Sequence, residues 1–321
     1  MSAPQLMMDI RGLYKNFGSP RAPVQAVSNV SFSIFKGETI GLVGESGSGK
    51  TTIGRMLSRL TDPSAGQMWY HGGPAAVDLA RLSQRQYLPL RSEIQVIFQD
   101  PYASLNPRMR VRQILGEALD AHGLARGAAR QARVHELLRQ VGLNEEHAER
   151  YAHEFSGGQR QRIGIARALA VEPRFIIADE PLSALDVSIQ AQVINLLGDI
   201  KDRLGLTMLL ISHDLDVVEY LCDRVVVLYL GRIVEIAPTA KLYTQALHPY
   251  TQALLAASPV PDPLVSRPSR PLQGDLPSPS DPPSGCVFRT RCPLAEARCA
   301  HANMSLREHG EGHWQACWKH F

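Results

Sequence analysis

The stretch Thr39-Ile40-Gly41-Leu42-Val43-Gly44-Glu45-Ser46-Gly47-Ser48-Gly49-Lys50-Thr51-Thr52-Ile53-Gly54-Arg55-Met56-Leu57-Ser58-Arg59-Leu60 decides the fold. Its first five residues are an apolar run that reads as a strand. Gly44 to Thr51 then fits the pattern G-x-x-x-x-G-K-[ST] at every fixed position. After it, Ile53, Met56, Leu57 and Leu60 recur at i, i+3, i+4 and i+7, so a helix is expected up to Thr61-Asp62-Pro63. In such a strand, turn and helix, glycines let the backbone curl so that amide groups and the positive helix end point at phosphates. Lys50 adds a point charge there, and Thr51 offers its hydroxyl to a Mg²⁺ bridging the same phosphates. The competing reading is a glycine-rich turn without function, and the flanking strand and helix argue against it.

Composition sets the bounds. A chain of 321 residues with 44% hydrophobic content holds one large domain, or one plus a smaller partner. Lys+Arg 34 against Asp+Glu 31 leaves a net charge of +3, so no polybasic field points to nucleic acid as a partner. The cluster Arg108, Arg110 and Arg112 reads as a solvated face. No apolar run reaches the about 20 residues that span a bilayer. The N-terminus lacks a charged-then-apolar leader, so a cytoplasmic location is expected. Five cysteines in that compartment argue against a disulfide framework, and four of them gather near the C-terminus.

Working outward from the loop, residues 6–13 and 24–35 read as strands, the second alternating Val30, Phe32 and Ile34. Residues 14–20 between them read as a loop, in which Phe17 is a candidate to stack on an adenine base; ordinary packing is the alternative. Residues 93–99 read as a short buried strand ending on Gln99, and a helical stretch from about 111 to 143 follows. It leads to Phe155-Ser156-Gly157-Gly158-Gln159 and an apolar helix with Ile163, Ile165, Ala166 and Leu169. Residues 174–180 form a near-continuous apolar strand of the parallel kind, tipped by Asp179 and Glu180. Doubly wound sheets place ligands at such carboxyl ends. Ser183-Ala184-Leu185-Asp186 open an amphipathic helix with Ile189, Val193, Leu196, Leu197, Ile200 and Leu204, stopped by Gly205. A strand at 207–211 then delivers Ser212-His213-Asp214 to the same edge, and 225–229 with 232–236 form a hairpin around Gly231. Beyond Pro238 come a short apolar helix at 251–257 and a proline-rich segment at 259–283, read as a linker or strap. No internal repeat is present, which implies one nucleotide-binding unit.

At Ser156 to Gln159, between a phosphate loop and an acid-tipped strand, the chain resembles the ATP-binding subunits of ABC transporters. The order and spacing agree over residues 6–236: Walker A at Gly44 to Thr51, Q-loop at Gln99, signature at Ser156 to Gln159, Walker B at Phe175 to Asp179, D-loop at Ser183 to Asp186, switch histidine at His213. Phe98-Gln99-Asp100-Pro101-Tyr102-Ala103-Ser104-Leu105-Asn106-Pro107, His248-Pro249-Tyr250-Thr251-Gln252-Ala253-Leu254-Leu255 and Gly285-Cys286-Val287-Phe288 with Arg291-Cys292-Pro293 are similar to the dipeptide and oligopeptide importer ATPases. Within that group the likeness is greatest to the second ATPase subunit of the dipeptide system.

The resemblance implies an α/β P-loop NTPase fold: an ABC nucleotide-binding domain over residues 6–245, with mixed sheet core, antiparallel β subdomain and helical subdomain inserted at about 101–165. Residues 246–321 would be a proline-rich C-terminal extension carrying the cysteines. It implies that Gly44, Glu45, Ser46, Gly47, Ser48, Gly49, Lys50, Thr51, Thr52 and Phe17 bind ATP. Glu180 would be the general base, Asp179 would hold Mg²⁺ through its water shell together with Thr51, Gln99 would contact Mg²⁺ and the attacking water, and His213 the γ-phosphate. Ser156, Gly157, Gly158 and Gln159, with Ser183, Ala184, Leu185 and Asp186, would face the nucleotide of a second homologous ATPase subunit in a head-to-tail heterodimer. The implied partners are that subunit, two transmembrane permease subunits and, indirectly, a solute-binding protein, at the cytoplasmic face of the membrane and without nucleic acid. The implied work is ATP hydrolysis coupled to uptake of di- or oligopeptides; glutathione, nickel and other small solutes are alternatives, because relatives carry them. A soluble ABC ATPase acting on nucleic acid or ribosomes usually has two nucleotide units or a coiled-coil insertion, absent here. A plain phosphate-loop kinase would leave Ser156 to Gln159, Gln99 and His213 without a role.

Cys286, Cys292, Cys299 and Cys317 are separated by five, six and seventeen residues. Four thiolates suit a 4Fe-4S cluster or a structural zinc, although no C-x-x-C pair is present. The resemblance raises the cluster reading, His301, His309 and His313 keep zinc as a competitor, and reduced thiols in a strap are the third reading. Cys222 reads as an ordinary buried thiol.

Overall fold

The computed structural model describes residues 4–19, 22–257 and 274–320. The chain packs as two units, one taking it up to Arg81 and again from Leu210 onward, the other spanning Leu82–Leu209.

The first unit holds two sheets. One is antiparallel, in the order Ala22–Phe35, Leu6–Ser19, Ala65–Tyr70, Val77–Asp78. Its inner face is set by alternation: Val30, Phe32 and Ile34 are buried, as are Met8 and Ile10 on the neighbouring strand. The residues expected as a loop at 14–20 instead extend the strand to Ser19, with Phe17 opposite Val24. The polarity that suggested a loop belongs to an exposed hairpin arm, where both strands can pair without a core. In the other sheet Thr39–Val43 lies parallel to Arg224–Tyr229, with Ile40 opposite Arg224 and Val43 opposite Val227. Arg224–Tyr229 pairs antiparallel with Arg232–Pro238. The free edge of that hairpin is taken by Trp314–Gln315, which pairs in turn with Arg307–Glu308. The C-terminal extension thus covers a sheet edge that would otherwise present open backbone groups.

The helix after the phosphate loop is shorter than its apolar spacing suggested: it runs Lys50–Leu57, and Leu60 is 57% exposed. Arg59, at φ 55°, takes the left-handed position. Leu60 N–H donates back to Arg55 O and Arg59 N–H to Met56 O, the paired closure that ends a helix. Ile53, Met56 and Leu57 are fully buried as expected.

In the second unit Ile94–Ile97 lies parallel to Phe175–Asp179, whose five residues are all buried. The stretch expected as helical from about 111 to 143 is broken into Val111–Ala121 and Gly127–Gln140. The break follows from Gly123 at φ 65°, where Leu124 N–H closes the first helix on Leu119 O. Gly157–Leu169 and Val187–Leu204 complete the unit's longer helices, the second ending at Gly205 in the left-handed conformation as its sequence indicated. Val193, Leu197 and Ile200 form its buried face, while Leu204 is exposed. Arg110 and Arg112 share Glu149 at 2.7 and 3.2 Å on the surface. The strand Thr207–Ile211 leads the chain back to the first unit. The segment expected as a proline-rich strap falls largely outside the described residues.

Candidate functional site

In the first unit the strand Thr39–Val43 delivers Gly44 to Thr51 at its carboxyl end. Gly49 stands immediately before the helix at φ 101°, and a Cβ there would lie 2.4 Å from Ala26 O, so no other residue fits. Lys50 is 5% exposed and its Nζ lies back across the loop, donating to Gly44 O at 2.8 Å and Glu45 O at 3.0 Å. Those carbonyls hold the ammonium at the mouth of the loop, where an anion's oxygens can replace them. Ser48 Oγ is buried with no hydrogen-bond partner among the described residues, although buried hydroxyls are ordinarily satisfied. Ser46 and Gly47 are exposed, and Thr51 and Thr52 are half-buried on the first helical turn. An unpaired hydroxyl, a poised ammonium and the start of a helix make an anion cradle that fits a nucleotide's phosphates.

His213 follows Thr207–Ile211, is exposed, and sits beside the loop-bearing strand: Ser212 N–H donates to Leu42 O at 3.3 Å. Asp214 caps the next helix, accepting from Asp216 N and Val217 N. Phe17 is 44% exposed, with the Lys15 ammonium 5.0 Å from its ring centroid.

The second unit brings together the other residues singled out from sequence. Gln99 Nε2 donates to Glu180 Oε2 at 2.9 Å, so the polar end of one strand grips the acid at the tip of its parallel neighbour. Glu180 holds φ 45°, a left-handed backbone at a residue with a full side chain. Asp179 beside it is buried, 8% exposed. Ser156 caps the helix Gly157–Leu169: its Oγ accepts from Gln159 N while Gln159 Oε1 accepts from Ser156 N at 3.1 Å. Gly158 is needed for close approach, because a Cβ there would lie 2.2 Å from Ile189 Cγ2. Gly157 faces Tyr102 Oη and Leu185 Cδ2, which a Cβ would meet at 3.3 and 3.5 Å. Signature, D-loop and the segment after Gln99 therefore share one surface of this unit. Ser183 and Ala184 are exposed there, and Asp186 precedes the helix Val187–Leu204.

Sequence reasoning missed two residues of the extension that touch the phosphate loop. Arg291 forms a bidentate pair with Glu45, Nη1 to Oε2 at 2.6 Å and Nη2 to Oε1 at 3.0 Å. Tyr250 Oη accepts from Glu45 N–H at 2.9 Å. Both residues lie in stretches quoted for the family likeness, but a partnership across some two hundred positions leaves no local pattern.

The four C-terminal cysteines converge. Cys286, Cys292, Cys299 and Cys317 all line one small cavity with Phe288 and Trp318, and none forms a disulfide. Burial pushes the Cys286 thiol up to about 11, and the neighbouring thiols add to the shift. Cys292 and Cys317 are raised as well, again chiefly by burial. The metal readings of the cysteines, a 4Fe-4S cluster or zinc, are both corrected: among the described residues no group of three or more His, Cys, Asp or Glu side chains is arranged to hold a metal ion. His313 is instead committed to Glu235 at 2.7 Å and His309 contacts Gln315 at 3.1 Å, because each serves the packing of the extension. Cys222 is buried, as expected.

Residues 27–183 match the family model described as ABC transporter, and residues 234–299 match that of the oligopeptide/dipeptide transporter C-terminal region. A Brucella ovis protein provisionally named for ATP binding in peptide import is 58% identical over 311 residues, covering 97% of each chain. The oligopeptide transport ATP-binding protein OppF of Bacillus subtilis is 56% identical over 262 residues, 81% of this chain and 85% of the relative. Its counterpart AppF, from the same organism, is 51% identical and covers 92% of this chain and 89% of the relative. Among solved structures, a dimeric ATP-binding cassette in a post-hydrolysis state with ADP and phosphate superposes with a TM-score of 0.65 at 27% identity, covering 73% of this chain and 99% of that one. No helix among the described residues is long and apolar enough to cross a membrane.

Proposed function

Because the chain belongs to the ABC transporter family of ATP-binding subunits, we propose that it is the ATP-hydrolysing subunit of an importer that moves di- or oligopeptides across the cytoplasmic membrane. The observation that carries the hydrolytic reading is the Gln99 to Glu180 hydrogen bond at the tip of the acid strand. The peptide cargo is supported by relatives named for peptide and oligopeptide transport that match this chain nearly end to end.

In this reading the loop amides and Lys50 bind the β- and γ-phosphates, and the Lys50 ammonium leaves the carbonyls of Gly44 and Glu45 to do so. Thr51 and Asp179 would hold the Mg²⁺ that accompanies the nucleotide. When bound, the ion neutralises charge on the phosphate oxygens. Glu180 accepts the proton of the attacking water, Gln99 orients that water, and His213 contacts the γ-phosphate. Phe17 stacks on the adenine. Ser156 and the amides of Gly157 and Gly158, at a helix N-terminus, contact the γ-phosphate held by a second homologous ATPase subunit, with Ser183 to Asp186 at the same junction. ATP then joins the two subunits and hydrolysis parts them, a two-state element that rocks two permease subunits between inward and outward access.

The four thiols are read as reduced side chains lining one cavity of the extension. Anaerobically purified protein should contain neither iron nor zinc in proportion to the chain; stoichiometric iron with sulfide would overturn this reading.

The test of the main proposal is reconstitution. Membranes containing the chain, its partner ATPase and the permeases should take up labelled di- and oligopeptides when ATP is present. ATP turnover that no peptide stimulates, with uptake of another solute, would overturn the cargo.

A further inference from the structure

The second position of the phosphate loop carries an acid, and the loop pattern leaves that position open to any residue. A carboxylate there stands beside the seat of the phosphates, where like charge opposes anion binding. Glu45 is not left to face that seat. Its carboxylate is gripped through both oxygens by Arg291, at 2.6 and 3.0 Å, in the fork geometry that suits a guanidinium. The Arg291 side chain is only 5% exposed against 27% for Glu45, so the pair is screened less than a surface bridge.

A second contact on the same residue is independent of charge. Tyr250 Oη accepts a hydrogen bond from the Glu45 amide at 2.9 Å, so that amide is held by the extension. Both contacts rest on one aromatic base. Tyr229, Tyr250 and Phe288 are fully buried, with ring centroids 4.7 Å apart for Tyr229–Tyr250, 5.2 Å for Tyr229–Phe288 and 5.4 Å for Tyr250–Phe288. Arg291 lies over the Tyr229 ring at 5.9 Å and its Nη1 reaches Tyr229 Oη at 3.4 Å.

We propose that Arg291 of the C-terminal extension is a positioning residue of the phosphate loop, drawing the Glu45 carboxylate out of the anion cradle and so setting the affinity for Mg-ATP. This rests on the nucleotide reading of the loop. The extension then has a task inside the nucleotide site besides any role of its cysteines.

The experiment measures Mg-ATP binding to the full chain by calorimetry, and KM and kcat for ATP, for wild type, Arg291→Ala and the near-isosteric neutral Arg291→Gln. Freeing an acid beside the phosphates should raise Kd and KM about tenfold in both variants, with kcat at saturating ATP changed by less than about twofold. The deficit should shrink as salt is raised. Removing the acid's charge in Glu45→Gln/Arg291→Gln should restore most of the affinity lost in Arg291→Gln. A merely structural role for Arg291 would not be rescued by deleting its partner's charge, so a deficit that persists in the double variant would overturn the proposal. Unchanged affinity in both single variants would overturn it too. Wild-type protein that binds no Mg-ATP would instead overturn the nucleotide reading, and this inference with it.

Discussion

Glu180 combines three properties: it directly follows the fully buried strand Phe175–Asp179, it accepts a hydrogen bond from Gln99, and it holds a left-handed backbone angle. Such a backbone costs on the order of 1–3 kcal/mol at a residue other than glycine and persists where the surroundings over-determine it. Glu180→Gln keeps an acceptor for Gln99 but cannot take a proton. It should therefore bind ATP as wild type does and lose turnover by about 10²-fold or more; near wild-type ATPase would remove Glu180 from the base's role. Lys50 supplies the contrast. Its ammonium already sits on two loop carbonyls, so Lys50→Ala removes binding rather than chemistry. Calorimetry should find Mg-ATP affinity lost, and affinity equal to wild type would count against the loop assignment.

At the scale of elements, the hairpin Arg224–Tyr229 and Arg232–Pro238 joins the phosphate-loop strand on one side and the extension on the other. Glu235, in the second strand, is fully buried and accepts from Leu247 N at 2.8 Å, His248 N at 2.9 Å and His313 Nε2 at 2.7 Å. Burial alone would push its carboxyl up; those hydrogen bonds, led by His313, outweigh burial and hold it below the ordinary 4.5. A depressed folded value means that the stabilisation is present above pH 4.5 and is lost as pH falls through the folded value. Thermal melts of the wild type should therefore be level near neutrality and drop in acid. Glu235→Gln should start lower, since removing one partner of a buried pair costs about 3–5 kcal/mol, and should lack that acid slope. A variant that melts like wild type at pH 7 would show that the extension is held elsewhere.

For the whole molecule, the residues assigned to ATP divide between its two packing units: the loop, Phe17 and His213 in one, Gln99, Glu180 and the signature in the other. The signature helix N-terminus is capped and exposed, with Ser156 on the surface. Glu180→Gln protein with Mg-ATP and its companion ATPase should form a stable dimer by light scattering, and adding Ser156→Arg to this chain should abolish it. Persistence of the dimer with Ser156→Arg would place the signature away from the junction.

The motifs were legible because each is local. Gly44 to Thr51, the acid-tipped strand and the Gly205 stop all depend on backbone angles and on alternation within a few residues, which the residue types themselves encode. The reading went astray where a local rule was overridden by its neighbours. Leu60 continued the apolar spacing, yet Arg59 turned the chain before it. Phe17 looked like loop, yet pairing with Val24 drew it into a strand. The cysteines were visible as a group, but only the fold shows that all four reach one cavity and that His313 is spent on Glu235. By itself the sequence determined the nucleotide chemistry and the class of the fold, since both are written in short-range geometry. The tertiary structure alone decided that Arg291 answers Glu45, because an ion pair 246 positions apart in the chain comes from the packing of a sheet edge and an aromatic base, which no spacing records.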